Sequence, residues 1–198
     1  MRSAIAVAVL AVLVNNTLST SPIEGYEVEE ASWAIEVIPG KPPAIFNGTV
    51  EQVMAQLEAD YPDFAASALE NINKEAAILA NASPAPADIL TKRDHNICYN
   101  FPMASTGRIQ EGINYLHGLT GRPWLGPGPR NCQRVSCSWR AAIWWCNDNN
   151  YRVEHTDWHG IANAAQVIVN ECARGASDVS GQRFHNDNIN MIVRDGDC

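Results

Sequence analysis

The residues that could do chemistry are unevenly placed along this 198-residue chain. All six cysteines and all five histidines follow the pair Lys92-Arg93, and the other two lysines precede it. A dibasic pair in an exposed stretch is a cleavage signal for a kexin-type processing protease of the secretory pathway. Two histidines sit at i, i+4 in His155-Thr-Asp-Trp-His159. Such a pair can ligate zinc, but it lacks the central glutamate of H-E-x-x-H and a third ligand. His185, with Glu154 or Glu171 and an arginine, could place a base and an acid beside a phosphate, as in a small secreted ribonuclease. No spacing demands this, and no G-x-S-x-G elbow is present. The nearest cysteine pairs have four and eight residues between them, not the C-x-x-C of a zinc site. Six cysteines in a short secreted domain predict three disulfides instead, leaving no free thiolate. No metal or cofactor is expected, and the reading favours a protein that is not an enzyme.

These groups need elements to position them, and the chain divides into three parts. Ala4 to Val14 is an apolar run after Arg2. It falls short of the about 20 residues that span a bilayer but suits a signal-peptide core. Residues 1–19 are read as that signal, cut after Ser19, and the product is expected to be secreted, with no membrane span. Residues 20–93 hold twelve acids against four bases. They read as an acidic pro-segment ending in the processing site Lys92, Arg93. Within it, Asn47-Gly-Thr and Asn81-Ala-Ser are glycosylation acceptors, and Thr49 could cap a helix. Val50, Val53, Met54 and Leu57 form one helical face, ended by Tyr61-Pro62, and a second helix spans about 64–80. Ser83-Pro-Ala-Pro-Ala87 reads as an extended linker that presents the dibasic pair.

Residues 94–198 form the expected mature domain, with ten acids and nine bases, all arginine. No basic run exists to hold nucleic acid through phosphates or to anchor the chain on a membrane. The pattern predicts a strand over 96–101, then a helix capped by Ser105 or Thr106 with Ile109, Ile113 and Leu116 inward. A hairpin over 132–147 turns around Ser138-Trp139-Arg140. A second helix is capped by Thr156, with Asp157 in its first turn, and ends at Arg174-Gly175. A last strand covers 188–194. The order β-α-β-β-α-β predicts an α+β fold, a split βαβ two-layer sandwich: a four-stranded antiparallel sheet with two helices on one face, stapled by three disulfides and preceded by the partly helical pro-segment. With the strand order 4-1-3-2, the expected bonds are Cys98–Cys198, Cys132–Cys146 and Cys137–Cys172. Neighbouring strand residues face opposite ways, so Ile143 and Trp145 go under the helices and Trp144 with Cys146 takes the other face. Exposed aromatic surface marks recognition, which makes Trp124, Trp139 and Trp144 the candidate binding residues.

Three stretches together resemble a known family: Arg134-Val-Ser-Cys-Ser-Trp-Arg-Ala-Ala-Ile-Trp-Trp-Cys-Asn-Asp148, Ile161-Ala-Asn-Ala-Ala-Gln-Val-Ile-Val-Asn-Glu-Cys172 and Ser180-Gly-Gln-Arg-Phe184. They are similar to small secreted fungal cysteine-rich proteins related to killer-toxin-like and necrosis-inducing-factor effectors. The resemblance implies an α/β sandwich, secretion by a fungus, and action as a virulence effector or as a toxin on competing microbes. The implied partner is a target on the surface of a host or microbial cell. Some members are thought to act on ion channels through basic residues, and the expected mature domain has no lysine for that.

Overall fold

The computed structural model describes residues 21–81 and 94–198. The expected signal peptide, the proline linker and Lys92-Arg93 lie outside the described residues.

The N-terminal part begins with strand β1 (Glu27–Glu29) and a hairpin of β2 (Ser32–Ile35) and β3 (Ala44–Asn47). In β2 the fully buried Trp33 and Ile35 alternate with half-buried Ser32 and Ala34, the period-two pattern of a strand with one covered face. Helix α1 (Val50–Asp60) starts where Thr49 can cap it. The Thr49 N–H donates to Gln52 Oε1 at 2.8 Å, half of a capping box. Val50, Val53, Met54 and Leu57 are its buried face. Pro62 then opens α2 (Pro62–Asn81), at a first-turn position where a missing N–H costs nothing.

The second part runs β4 (His95–Cys98), β5 (Ala104–Ser105), α3 (Thr106–Gly118), β6 (Trp124–Leu125), β7 (Asn131–Ser138), β8 (Ala141–Asn147) and β9 (Val153–Glu154). It continues with α4 (His159–Ile168), one π-helical turn over Val169–Ala173, β10 (Asp178–Val179), β11 (Gly181–Phe184) and β12 (Ile189–Asp195). Asp157, rather than Thr156, meets the start of α4: its Oδ1 accepts from the His159 N–H at 3.0 Å. Arg174 and Gly175 close the helical stretch with positive φ.

The main sheet is mixed and six-stranded, in the order β1-β7-β8-β12-β11-β4. The pair β1–β7 is parallel and the others are antiparallel. The α+β class and three disulfides hold, but the split βαβ layout with four strands does not. Strand β4 lies at an edge instead of in the centre. The central place beside β8 goes to β12, and Gly181–Phe184 forms a short hairpin on the other side of β12, between it and β4. A local pairing closes a short loop, whereas β4 must reach β12 across some 90 residues of chain. Strand β1 adds the other edge.

The strand directions also set the disulfides. Strand β12 runs antiparallel to β8, so its end lies at the rim where β7 ends. Cys198 therefore bonds Cys137, not Cys98. Cys98, one strand removed from β12, bonds Cys172 on the helix side. Gly181 makes that crossing possible, because a Cβ there would lie 3.0 Å from Cys172 Sγ. The expected Cys98–Cys198 and Cys137–Cys172 bonds are thus replaced by an exchange of partners. Cys132 bonds Cys146 across the β7–β8 hairpin.

All four helices contribute to the core on one sheet face, together with Ile143, Trp145, Met191 and Val193. The N-terminal Trp33, Ile35, Val50, Val53, Leu57 and Ile72 belong to this same core. On the opposite face Ala142, Trp144, Cys146 and Ile192 form a second cluster, covered by Ile23, Tyr26, Val28 and Phe101. The described residues before and after the dibasic pair are one folded body.

Candidate functional site

The tip of the β7–β8 hairpin carries the most exposed of the large apolar side chains described, Trp139, at 78% exposure. The strands meet through Trp139 and Arg140, with φ of 49° and 65°. A two-residue hairpin of this hand needs positive φ at both central positions, which is why Asn-Gly is its usual occupant. Tryptophan and arginine there cost on the order of 1–2 kcal/mol each. The surroundings hold the turn in place. Arg140 donates from Nε and Nη2 to the two Asp195 oxygens at 2.9 and 2.7 Å, and from Nη1 to Asp197 at 2.7 Å. The Gly196 N–H donates to the Arg140 carbonyl at 3.0 Å. The Cys137–Cys198 bond ties residues 195–198 to the base of the turn. On the α3 side the Arg108 guanidinium stands 5.4 Å from the Trp139 ring centre. Glu111 fixes it through contacts of 2.9 and 2.8 Å. The result is a rigid, exposed indole backed by one cation.

The other two tryptophans of the set do not join it. Trp144 is 3% exposed, sealed by Ile23, Tyr26, Val28 and Phe101, with the Arg134 guanidinium 5.6 Å from its ring centre. The sheet face expected to be open is closed by chain from before the dibasic pair, so Trp144 is a core residue and not a binding anchor. Trp124 is half-buried on β6, under Arg152 at 5.1 Å, and its carbonyl accepts from Gln133 Nε2 at 3.0 Å. That contact puts it at the start of β7, about 20 Å of strand from Trp139. Asn47 and Asn81 are exposed, as glycan acceptors must be.

The histidine pair separates. His155 packs on Trp145, with ring centres 5.2 Å apart, and its Nε2 is buried without a partner. His159 faces His117 at 5.3 Å and its Nε2 lies 2.9 Å from the His117 carbonyl. The two rings share no ligand position, and among the described residues no group of three or more His, Cys, Asp or Glu could hold a metal. Burial pushes the His117 imidazole pKa down, and His159 adds to this against the opposing pull of Glu75 and Asp157. Burial also lowers that of His185, with Asp94 opposing. An unfolded histidine titrates at about 6.5, so below that pH the unfolded state binds more protons and stability falls. The urea midpoint should decline from about pH 7.5 to about pH 5.5, and decline less in a His117→Gln/His185→Gln variant. A wild-type midpoint that stays level or rises on acidification would contradict this origin.

At the far edge of the sheet a carboxylate, an imidazole and a guanidinium do converge. Asp94 Oδ2 lies 3.0 Å from Arg183 Nη2 and 3.2 Å from His185 Nδ1. Arg183 Nη1 donates to Asn96 Oδ1 at 3.1 Å, and Asn96 Nδ2 donates to Glu171. The pairing of β11 with β4 sets Arg183 opposite Asn96 and Phe184 opposite His95, whose ring stacks on Phe184 at 4.8 Å. The sequence reading named Glu154 and Glu171 as partners for His185 and missed Asp94, 91 residues away. Nothing local links them. The three groups are turned toward one another: the Arg183 and Asp94 side chains are 6% and 11% exposed, and His185 Nε2 is buried without a partner.

No family model, no curated protein and no solved structure matches this chain. No helix among the described residues is long and apolar enough to cross a membrane.

Proposed function

We propose that this is a secreted, disulfide-stapled recognition protein that binds a target on a host or competitor cell without catalysis. Its processing falls to a kexin-type protease at Lys92-Arg93, and its mode of action is that of the effector and killer-toxin-like proteins it resembles. One observation carries the reading: Trp139 is held almost fully exposed on a strained two-residue turn. Strain of this kind persists only where its surroundings fix it, and it clusters at functional sites. A rigid exposed tryptophan is also a good interface anchor, because it loses little conformational freedom on binding. The three disulfides suit an oxidising compartment.

Removing such an anchor costs 2 kcal/mol or more, so Trp139→Ala should weaken cell binding roughly 30-fold or more. The urea midpoint should stay close to wild type, since an exposed side chain contributes little to stability. Labelled protein titrated onto plant, yeast and filamentous-fungal cells gives the affinity. Unchanged binding by Trp139→Ala would remove the indole from the site.

A hydrolase is the second reading, and the convergence of Asp94, His185 and Arg183 favours it. Against it, Arg183 spends its donors on Asp94 and Asn96 and has little surface for a substrate phosphate. RNA hydrolysis by the purified protein, abolished by His185→Gln, would establish this reading and displace the first.

A further inference from the structure

We propose that residues 21–81 stay seated on residues 94–198 after cleavage at Lys92-Arg93, so that the working protein is two chains joined without a covalent bond. This rests on the processing reading above; its argument comes from the contact between the two parts. No disulfide crosses that contact, because all six cysteines pair within 98–198. Any persistence must come from packing and hydrogen bonds.

Five separate contacts supply it. Strand β1 fills the edge of β7 in parallel register, Glu27 to Glu29 against Asn131 to Gln133. Glu29 then accepts from the Gly126 N–H, Asn131 Nδ2 and Gln133 Nε2 at 2.9, 2.8 and 2.6 Å. Glu51 at the start of α1 accepts from Ser136 Oγ at 2.5 Å and from the Cys137 N–H at 2.9 Å. On the helix side the Trp33 ring stacks on Trp158 with centres 3.6 Å apart, and both side chains are fully buried. Helices α2 and α3 touch through their backbones, since a Cβ on Gly118 would lie 2.5 Å from Ile72 Cα. On the far side of the sheet Ile23, Tyr26 and Val28 cover Trp144, and Arg194 Nη1 donates to the Pro22 carbonyl at 2.6 Å.

A cover meant to leave would meet a surface able to stand in water. This one would leave behind an unpaired strand edge, the bare faces of Trp158 and Trp144, and the donors of Gln133, Ser136 and Cys137 without their carboxylates. Contacts that look like one core divided in two are those of obligate partners. The segment also lies on both faces of the sheet and along one edge, so no single opening motion frees it.

The test uses the full secreted chain, cut to completion with a kexin-type protease and followed by native mass spectrometry. A denaturing, non-reducing gel should show two chains, while the native spectrum shows one 1:1 complex with unchanged tryptophan emission. In the nicked protein Glu51→Ala should shorten the lifetime of that complex at least tenfold. If the protease leaves Lys92-Arg93 intact, the processing reading fails. A variant with a foreign protease site replacing residues 84–87 then makes the nick and tests the contact by itself. Free 94–198 in the native spectrum after complete cutting, or aggregation on cutting, would overturn the proposal.

Discussion

Trp33→Ala should lower the free energy of unfolding by about 3–5 kcal/mol, the range for truncating a large buried aromatic side chain. The residue lies in the stretch before the dibasic pair, yet it is fully buried against Trp158 of the C-terminal part. Alanine would leave a void between β2 and the start of α4, where Trp158 now stacks on the Trp33 ring. The Trp33 Nε1 hydrogen bond to the Gly48 carbonyl, 2.9 Å, would go too, leaving a buried acceptor unpaired. Small domains hold about 5–15 kcal/mol in all, so this is about a fifth or more of the total. The loss should be a shift of one cooperative urea transition, because both parts share a core. Ile45→Ala, on the partner strand but 59% exposed, is the control and should move the midpoint by less than about 0.5 kcal/mol. Two resolved transitions in Trp33→Ala, or a shift no larger than that of the control, would mean that the parts fold separately.

That shared core is also where sequence reading stopped short. The Val50, Val53, Met54, Leu57 face was legible because a helix writes its burial into local spacing. So was the division of Trp144 and Trp145 between two sheet faces, since strand alternation is local as well. The positions of α3, the β7–β8 hairpin and β12 followed in the same way. What covers each face is not local. The composition change at Arg93 reads as a boundary between folding units, but charge on a segment says nothing about what its apolar residues touch. Glu29 and Glu51 count among twelve acids of a solvated acidic segment, and both turn out to accept hydrogen bonds across the contact.

The other misses share this cause. Gly181–Phe184 has a glycine and a buried arginine and shows no alternation, so β11 carries no strand signature, and without it β4 is placed one strand too near β12. Two disulfide partners then exchange. Asp94 and His185 meet only because β4 and β11 pair. Trp139 was found as a turn residue, but its strain was hidden, because Trp-Arg lacks the Asn-Gly signal that announces a left-handed turn. The functional candidate therefore sits where sequence rule and backbone conformation disagree, as strained sites commonly do.

Removing the Cys137–Cys198 bond, with both cysteines changed to serine, should cost about 4 kcal/mol, since it closes a loop of 61 residues. Removing Cys132–Cys146, a separation of 14, should cost about 3 kcal/mol on the same entropic account. The two losses are close in stability but lie at opposite ends of the β7–β8 hairpin. Only the first frees residues 196–198, whose Gly196 and Asp197 help Asp195 of β12 to hold Arg140 in its left-handed conformation. With that hold loosened, the Trp139–Arg140 turn can relax toward less strained conformations, and the indole must be ordered again each time a target binds. Cell binding measured well below both midpoints should thus weaken in the Cys137→Ser/Cys198→Ser protein and stay near wild type in the Cys132→Ser/Cys146→Ser protein. Equal affinity in the two variants would mean that residues 196–198 do not preorganise the turn, and the strain at Trp139 would then no longer argue for recognition.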